Sequence, residues 1–213
     1  MGIFSWKSSQ EVTRKRPEAT RTIFSGFFEN NKAKTPLEKY EENFVCSRKN
    51  YYEGRWWVLG TSTFAHANLM HLGVNMYALW GLGRSVVVST RSVPVLAGLW
   101  LVCGVGASCP DVFWPRIKQY VPADWGQTIA EKAQWNQDKK SLGASGAIFG
   151  LLGFMGAHRP RYYRNSLLLG LALEGFFLAS GYLPIFNHTA HISGAGLGWL
   201  SYFGWKVISR GRV

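Results

Sequence analysis

The chain has 213 residues, 47% of them hydrophobic and 15% aromatic, and a formal net charge of +12, yet its mean hydropathy is −0.05. That average describes neither an ordinary soluble domain nor an evenly apolar membrane protein: charge is concentrated in residues 1–55 and about 108–142, and the remainder falls into apolar runs, for which buried helices of a soluble protein are the alternative reading. Most of the basic excess lies beside those runs, so nucleic-acid binding is not needed to explain the charge and is not expected.

In chain order, residues 1–28 carry Lys7, Arg14, Lys15, Arg16 and Arg21 among Ser and Thr, against Glu11 and Glu18. This loosely resembles an organelle-targeting leader, although a solvated basic tail has the same composition. No apolar stretch follows Met1, and Trp6 stands where a myristoylation signal needs Ser or Thr, so neither a secretory signal nor that lipid anchor is expected. The segment up to Tyr52 mixes Glu38, Glu41 and Glu42 with Lys32, Lys34 and Lys39 and does not suit a bilayer. Residues 1–55 are therefore predicted to be a polar basic N-terminal segment and first loop, and 56–210 a membrane domain with a polar loop at 108–142.

At Gly54-Arg55-Trp56-Trp57 the composition changes, and paired tryptophans beside an arginine suit the headgroup boundary. Five apolar runs follow, at about 58–83, 86–107, 143–157, 165–183 and 190–208, near the roughly 20 residues that a hydrocarbon core requires. The fold class expected is all-α, a polytopic membrane helix bundle with five recognisable spans. The third run is short, which suits a helix that begins below the surface in a water-filled cavity. If all five cross, Arg84, Arg91, Arg159, Arg161, Arg164, Lys206, Arg210 and Arg212 lie on one side with no acid among them, the asymmetry that orients membrane helices.

The polar residues inside these runs carry the chemistry. In the first, His71 and Asn75 are four apart and project from one helix face. Two such side chains in an apolar helix are costly unless they serve something, and their N–H groups suit a developing oxyanion. His66 near the helix entrance is expected to make structural hydrogen bonds. Cys46, Cys103 and Cys109 form no framework and are expected to be free thiols, although a Cys46–Cys109 bridge is conceivable.

The third run opens with Gly143-Ala144-Ser145-Gly146, which sets a hydroxyl where free backbone N–H groups cluster at a helix start. The fourth contains Glu174, a lone carboxylate expected to be satisfied by a neighbouring helix or a cavity, with a catalytic carboxylate as the alternative, and ends at Gly181-Tyr182-Leu183-Pro184. The fifth opens with His188-Thr189-Ala190-His191 and continues through Gly194 and Gly198. Counting crossings, the third and fifth runs point the same way, so Ser145 and His191 start on one side and can meet. Gly146 and Gly150 opposite Gly194 and Gly198 have the spacing that lets two backbones approach. A serine hydroxyl within reach of an imidazole is a nucleophile with its base; with no acidic third member evident, a dyad is the simplest arrangement. A metal site built from the histidines is not expected, because the chain has no H-E-x-x-H element.

Three separated elements, Gly54-Arg55-Trp56-Trp57 with His66, His71 and Asn75, then Gly143-Ala144-Ser145-Gly146, then Ala190-His191-x2-Gly194, together resemble the rhomboid family of intramembrane serine proteases over about residues 43–208. Ser141-Leu142-Gly143-Ala144-Ser145-Gly146-Ala147 is most similar to the mitochondrial, presenilin-associated branch. The resemblance implies that Ser145 is the nucleophile and His191 the general base. It further implies an oxyanion hole of His71, Asn75 and the Ser145 N–H, and a structural His66. The implied activity is cleavage of transmembrane protein substrates within the bilayer of an integral membrane protein, in the mitochondrial inner membrane for that branch, without metal or cofactor. The family core has six helices. The first is expected upstream of Asn43, where this chain is polar; either this sequence is an incomplete form, or the helix is truly lost, which would leave a groove for lipid or a membrane-protein partner. The alternative function is a non-catalytic relative that binds membrane helices or serves as a subunit of a membrane complex. Val58, where many relatives carry Arg, predicts weaker anchoring of the first loop.

Overall fold

The computed structural model describes residues 34–117, 140–180 and 187–210. All of the helices described belong to one compact unit that begins at Pro36. Among the described residues there are eight α-helices: α1 Pro36–Phe44, α2 Arg48–Tyr52, α3 Val58–Thr61, α4 Leu69–Thr90, α5 Val93–Ile117, α6 Ser145–His158, α7 Pro160–Ser180 and α8 His188–Arg210. A 3-10 turn at Ser62–Phe64 follows α3. The sole β pairing among the described residues is a single antiparallel bridge between Cys46 and Ser141.

The five apolar runs correspond to α4 through α8, with shifted limits. The first run divides: Val58–Phe64 forms two short helical pieces, and the long helix begins only at Leu69. The reason is local, since Asn68 is extended and its side chain accepts the His71 N–H at 2.8 Å, capping a new helix. The second run begins at Val93, after Arg91 closes α4 in the left-handed region with φ of 54°. It continues to Ile117, so part of the expected polar loop is helix, and Asp111 is a buried residue inside it. Residues 118–139 of that loop, and the proposed stop at 181–184, lie outside the described residues. Proline at the first position of α7 starts that helix at 160, five residues earlier than the run suggested.

Only Val93–Phe113 among the described helices is long and apolar enough to qualify as a membrane span by those two measures alone. Of the others, α6 has only 14 residues, and α4, α7 and α8 carry the polar residues of the site. The outer faces of the long helices are nevertheless apolar: Leu69, Trp80, Leu101, Leu169, Phe176 and Ile208 are all more than half exposed. Contiguous apolar surface of this kind is rare on water-facing proteins and matches acyl chains. The core between the helices holds Val86, Leu99, Leu151, Phe154 and Met155, with Tyr202 and Trp205 packed against it.

A second cluster joins the first loop to α5 through Cys46, Val58 and Val112, flanked by Tyr51 and Phe113. Val58 is fully buried there. This corrects the expectation of a weakly anchored first loop: an apolar side chain packs at the position where a charged one is missing. Asn50 completes the anchor by donating to the carbonyls of Glu41 and Val45 and accepting from Arg55 at 3.1 Å. No disulfide joins any of the three cysteines.

Candidate active site

Two helix starts are brought together by backbone contact. A side chain at Gly194 or Gly198 of α8 would run into the carbonyl oxygens of Gly146 and Gly150 of α6, and one at Gly153 would run into that of Ala195. The opposite side of α6 is equally close, since Gly146 abuts Ala107 and Gly150 abuts Cys103, both on α5. Small residues on both faces therefore set α6 at the centre of the bundle, held by close van der Waals packing.

The segment leading into α6 is fixed as well. Ser141 exchanges two backbone hydrogen bonds with Cys46, at 2.9 and 2.8 Å, and the Gly143 N–H donates to Ser62 O at 2.8 Å. Gly143 has φ of 119°, a conformation glycine adopts without strain, and any side chain there would collide with the His71 ring. Asn187 ties the other helix start to the same place. Its Oδ1 accepts the Ala190 N–H at 3.1 Å, capping α8, while Nδ2 donates to Asp111 Oδ2 at 2.5 Å and to Ser141 Oγ at 2.8 Å.

Ser145 and His191 meet within this frame, with Ser145 Oγ 2.8 Å from His191 Nε2. His191 is buried, and its ring stacks on Phe149, one turn beyond Ser145, with centroids 4.5 Å apart and planes 6° from parallel. That contact holds the imidazole plane so that one nitrogen faces the hydroxyl. Its other nitrogen faces a carboxylate: Glu174 Oε1 of α7 lies 2.9 Å from His191 Nδ1. The Nδ1 hydrogen is not directed at that oxygen, and Nδ1 forms no hydrogen bond in this geometry, so the contact is one of charge and proximity. The second oxygen, Oε2, is 2.5 Å from Nδ1 of His188. An acid thus neighbours the pair: Glu174 contacts both histidines of α8.

His71 and Asn75 converge on the loop before Ser145. A Cβ at Gly143 would lie 2.9 Å from His71 Nε2 and 3.8 Å from Asn75 Nδ2. The Ala67 N–H points to His71 Nδ1 at 3.5 Å, which makes that nitrogen the acceptor and leaves the proton on Nε2, the side toward Gly143. Asn75 is buried and its Nδ2 has no hydrogen-bond partner. A buried donor left open costs about 1–3 kcal/mol, and one beside a serine at a helix start is available to an incoming oxygen. His66 Nδ1 donates to Phe64 O, 3.2 Å away, and its ring sits edge-on to His71 with ring centroids 5.2 Å apart.

Glu174, His188 and His191 also offer ligand atoms within 4.8 Å of one another, a spacing that a metal ion could bridge. The set differs from the histidines considered from sequence, because the chain crossing of α7 contributes the carboxylate. In the present geometry, one of its histidines is already engaged by Ser145 through the opposite ring nitrogen.

Sequence reasoning missed Phe149, Asn187 and Asp111. Asn187 had a local signal, being a capping residue type directly before a helix. Phe149 is legible only once Ser145 is known to face a ring, and Asp111 only once α5 is known to continue to Ile117.

Fold and site together define a polytopic membrane helix bundle with a serine–histidine pair at two adjoining helix starts. The rhomboid domain model matches residues 53–209, and the chain belongs to the rhomboid family. It is similar to rhomboid protein 1, mitochondrial, of Saccharomyces cerevisiae, with 25% identity over 79% of this chain and 46% of that protein. It is also similar to the rhomboid protease AarA of Providencia stuartii, at 26% identity over 78% of this chain and 63% of that one. The human presenilin-associated rhomboid-like protein, mitochondrial, is 27% identical over 71% of this chain and 38% of its own length. The chain thus spans less than two thirds of the length of these relatives. No solved structure matches it.

Proposed function

We propose that the protein is an intramembrane serine endopeptidase that cleaves transmembrane protein substrates. The observation that carries this reading is the 2.8 Å contact between Ser145 Oγ and His191 Nε2 across two helices locked together by glycine. Ser145 attacks the scissile carbonyl carbon while His191 Nε2 takes its proton. His71, Asn75 and the Ser145 N–H receive the negative oxygen. Collapse breaks the C–N bond, with His191 returning the proton to the leaving amine, and water then releases the acyl group by the same route. His66 supports the His71 ring as a structural residue. The reaction needs no cofactor and no metal ion. The partners are membrane-embedded protein segments and the bilayer, not nucleic acid. Residues 1–55 act as the polar N-terminal segment and first loop, and 56–210 as the membrane domain. The mitochondrial names of two of these relatives support placement in the mitochondrial inner membrane.

A fluorophosphonate probe tests the reading on the purified full chain in detergent. Labelling that requires both the folded state and Ser145 is the expected result. Labelling that survives Ser145→Ala would show the hydroxyl assignment to be wrong.

A second reading, a non-catalytic relative that binds membrane helices, is favoured by one feature. An apolar cavity of about 330 Å³ opens between the first loop and α5, lined by Trp56, Trp57, Phe64, Trp100, Leu101 and Val105. Absence of labelling in folded protein, with a membrane helix co-purifying at this cavity, would favour it.

A further inference from the structure

We infer that Glu174 is a positioning residue for His191, making the reactive group a serine–histidine–glutamate arrangement whose carboxylate is steadied from behind by His188. This rests on the protease reading and adds the acid that reading lacks.

The geometry leads there in three steps. Ser145 Oγ occupies one side of the His191 ring, at Nε2, so to accept the hydroxyl proton the ring must carry its own hydrogen on Nδ1. Nδ1 is buried, without a hydrogen bond, and 2.9 Å from Glu174 Oε1. Between the two ring tautomers, a carboxylate at that distance favours the one with Nδ1–H, because it accepts and cannot donate when ionised. When the Ser145 proton moves to Nε2, the ring becomes an imidazolium, and Nδ1–H and Glu174 remain as they are. The carboxylate stabilises the new positive charge without itself taking the proton. Catalytic hydrogen bonds are commonly misaligned before substrate binds and tighten with it.

The fold is consistent with a role beyond helix packing. Glu174 is the one carboxylate that α7 contributes, its side chain is only 13% exposed, and both of its oxygens face histidines of α8. His188 is one turn before His191 on α8, and its 2.5 Å contact with Oε2 holds the carboxyl plane so that Oε1 is presented to His191. Phe149 fixes the ring from its face and Glu174 from its edge, so the imidazole is held from two directions.

The test uses the full chain in detergent or liposomes and measures fluorophosphonate labelling rate, kcat and KM for a model transmembrane substrate, and thermal unfolding. Glu174→Gln is expected to lower labelling rate and kcat about 10- to 100-fold, less than the ~10⁴-fold of an in-line triad carboxylate, with KM and the unfolding temperature unchanged. Glu174→Asp is expected to recover most of that loss, because it restores the charge. Adding His188→Gln to Glu174→Gln is expected to cause no further loss, since His188 acts through the carboxylate.

Wild-type labelling no faster than Ser145→Ala would overturn both this inference and the protease reading. Normal labelling and turnover in Glu174→Gln, beside a wild type that labels, would overturn only the role of Glu174. So would a loss that follows a lowered unfolding temperature and is not recovered by Asp. Wild-type activity abolished by EDTA and restored by zinc would also overturn it, by making the three side chains a metal site. Should Glu174→Gln not fold, His188→Gln alone carries the test: a several-fold loss in kcat at constant KM supports the inference, and none overturns it.

Discussion

Helices α6 and α7 are neighbours in sequence and each contributes one polar side chain to the same histidine, yet they are held in opposite ways. In α6, Gly146, Ala147, Ile148, Gly150, Leu151, Gly153, Phe154, Met155 and Gly156 are all buried. In α7 the buried residue is Leu167, which fits against Gly156. The first helix is located by backbone lying against backbone, so Ser145 inherits its position from atoms that cannot rotate away. The second is located by a few side chains: Leu167, the Tyr163 hydroxyl on Ser85 Oγ at 2.8 Å, and Glu174 on two histidines. Placement of Ser145 is thus a property of the packed centre, and placement of Glu174 a property of side-chain contacts at its edge.

The largest effect expected is at the junction of the two. His191→Ala should reduce proteolysis to the background of the serine variant, because it removes the base, while leaving the glycine packing of α6 intact; near-normal thermal unfolding alongside lost cleavage is the predicted pair of results. Gly153→Val should instead destabilise the fold. Its side chain meets the Ala195 carbonyl, and overpacking of a tight interface costs typically 1–3 kcal/mol or more, so a lower unfolding temperature in detergent is the measurement.

Smaller effects sharpen the contrast. Asn75→Ala should lower kcat about 10- to 1000-fold, the span around the loss of one oxyanion donor, with little change in KM; an unchanged kcat would assign Asn75 to structure alone. Gly175→Ala on α7 is the counterpart of Gly153→Val. A side chain there meets nothing within 4 Å, so stability should shift by less than about 1 kcal/mol, the ordinary gain from replacing a helical glycine. Equal damage from both glycine substitutions would contradict the difference between the helices.

Much of this was legible in the linear chain. Five apolar runs became five helices, the spacing of Gly146, Gly150, Gly194 and Gly198 anticipated the α6–α8 contact, and counting crossings brought Ser145 to His191. Each of these depends on periodicity, length or sidedness, which a sequence records directly. Helix limits were less legible where a single residue intervenes: Asn68 capped α4 late, and the apolar surroundings of Asp111 carried α5 past an acid that looked like the edge of a loop.

What the sequence determined by itself was the set of candidate groups, because a serine at a helix start, an imidazole at another and polar residues inside apolar runs are chemical identities. What only the tertiary structure decided was their number and orientation. Glu174 is 14 residues from His188 in the chain and becomes its neighbour only when α7 packs beside α8, and the stacking of Phe149 on His191 exists only across the α6–α8 interface. The order of residues states which side chains are present and, through glycine spacing, where two helices can approach, whereas the side chains that then meet across the helices depend on crossing geometry.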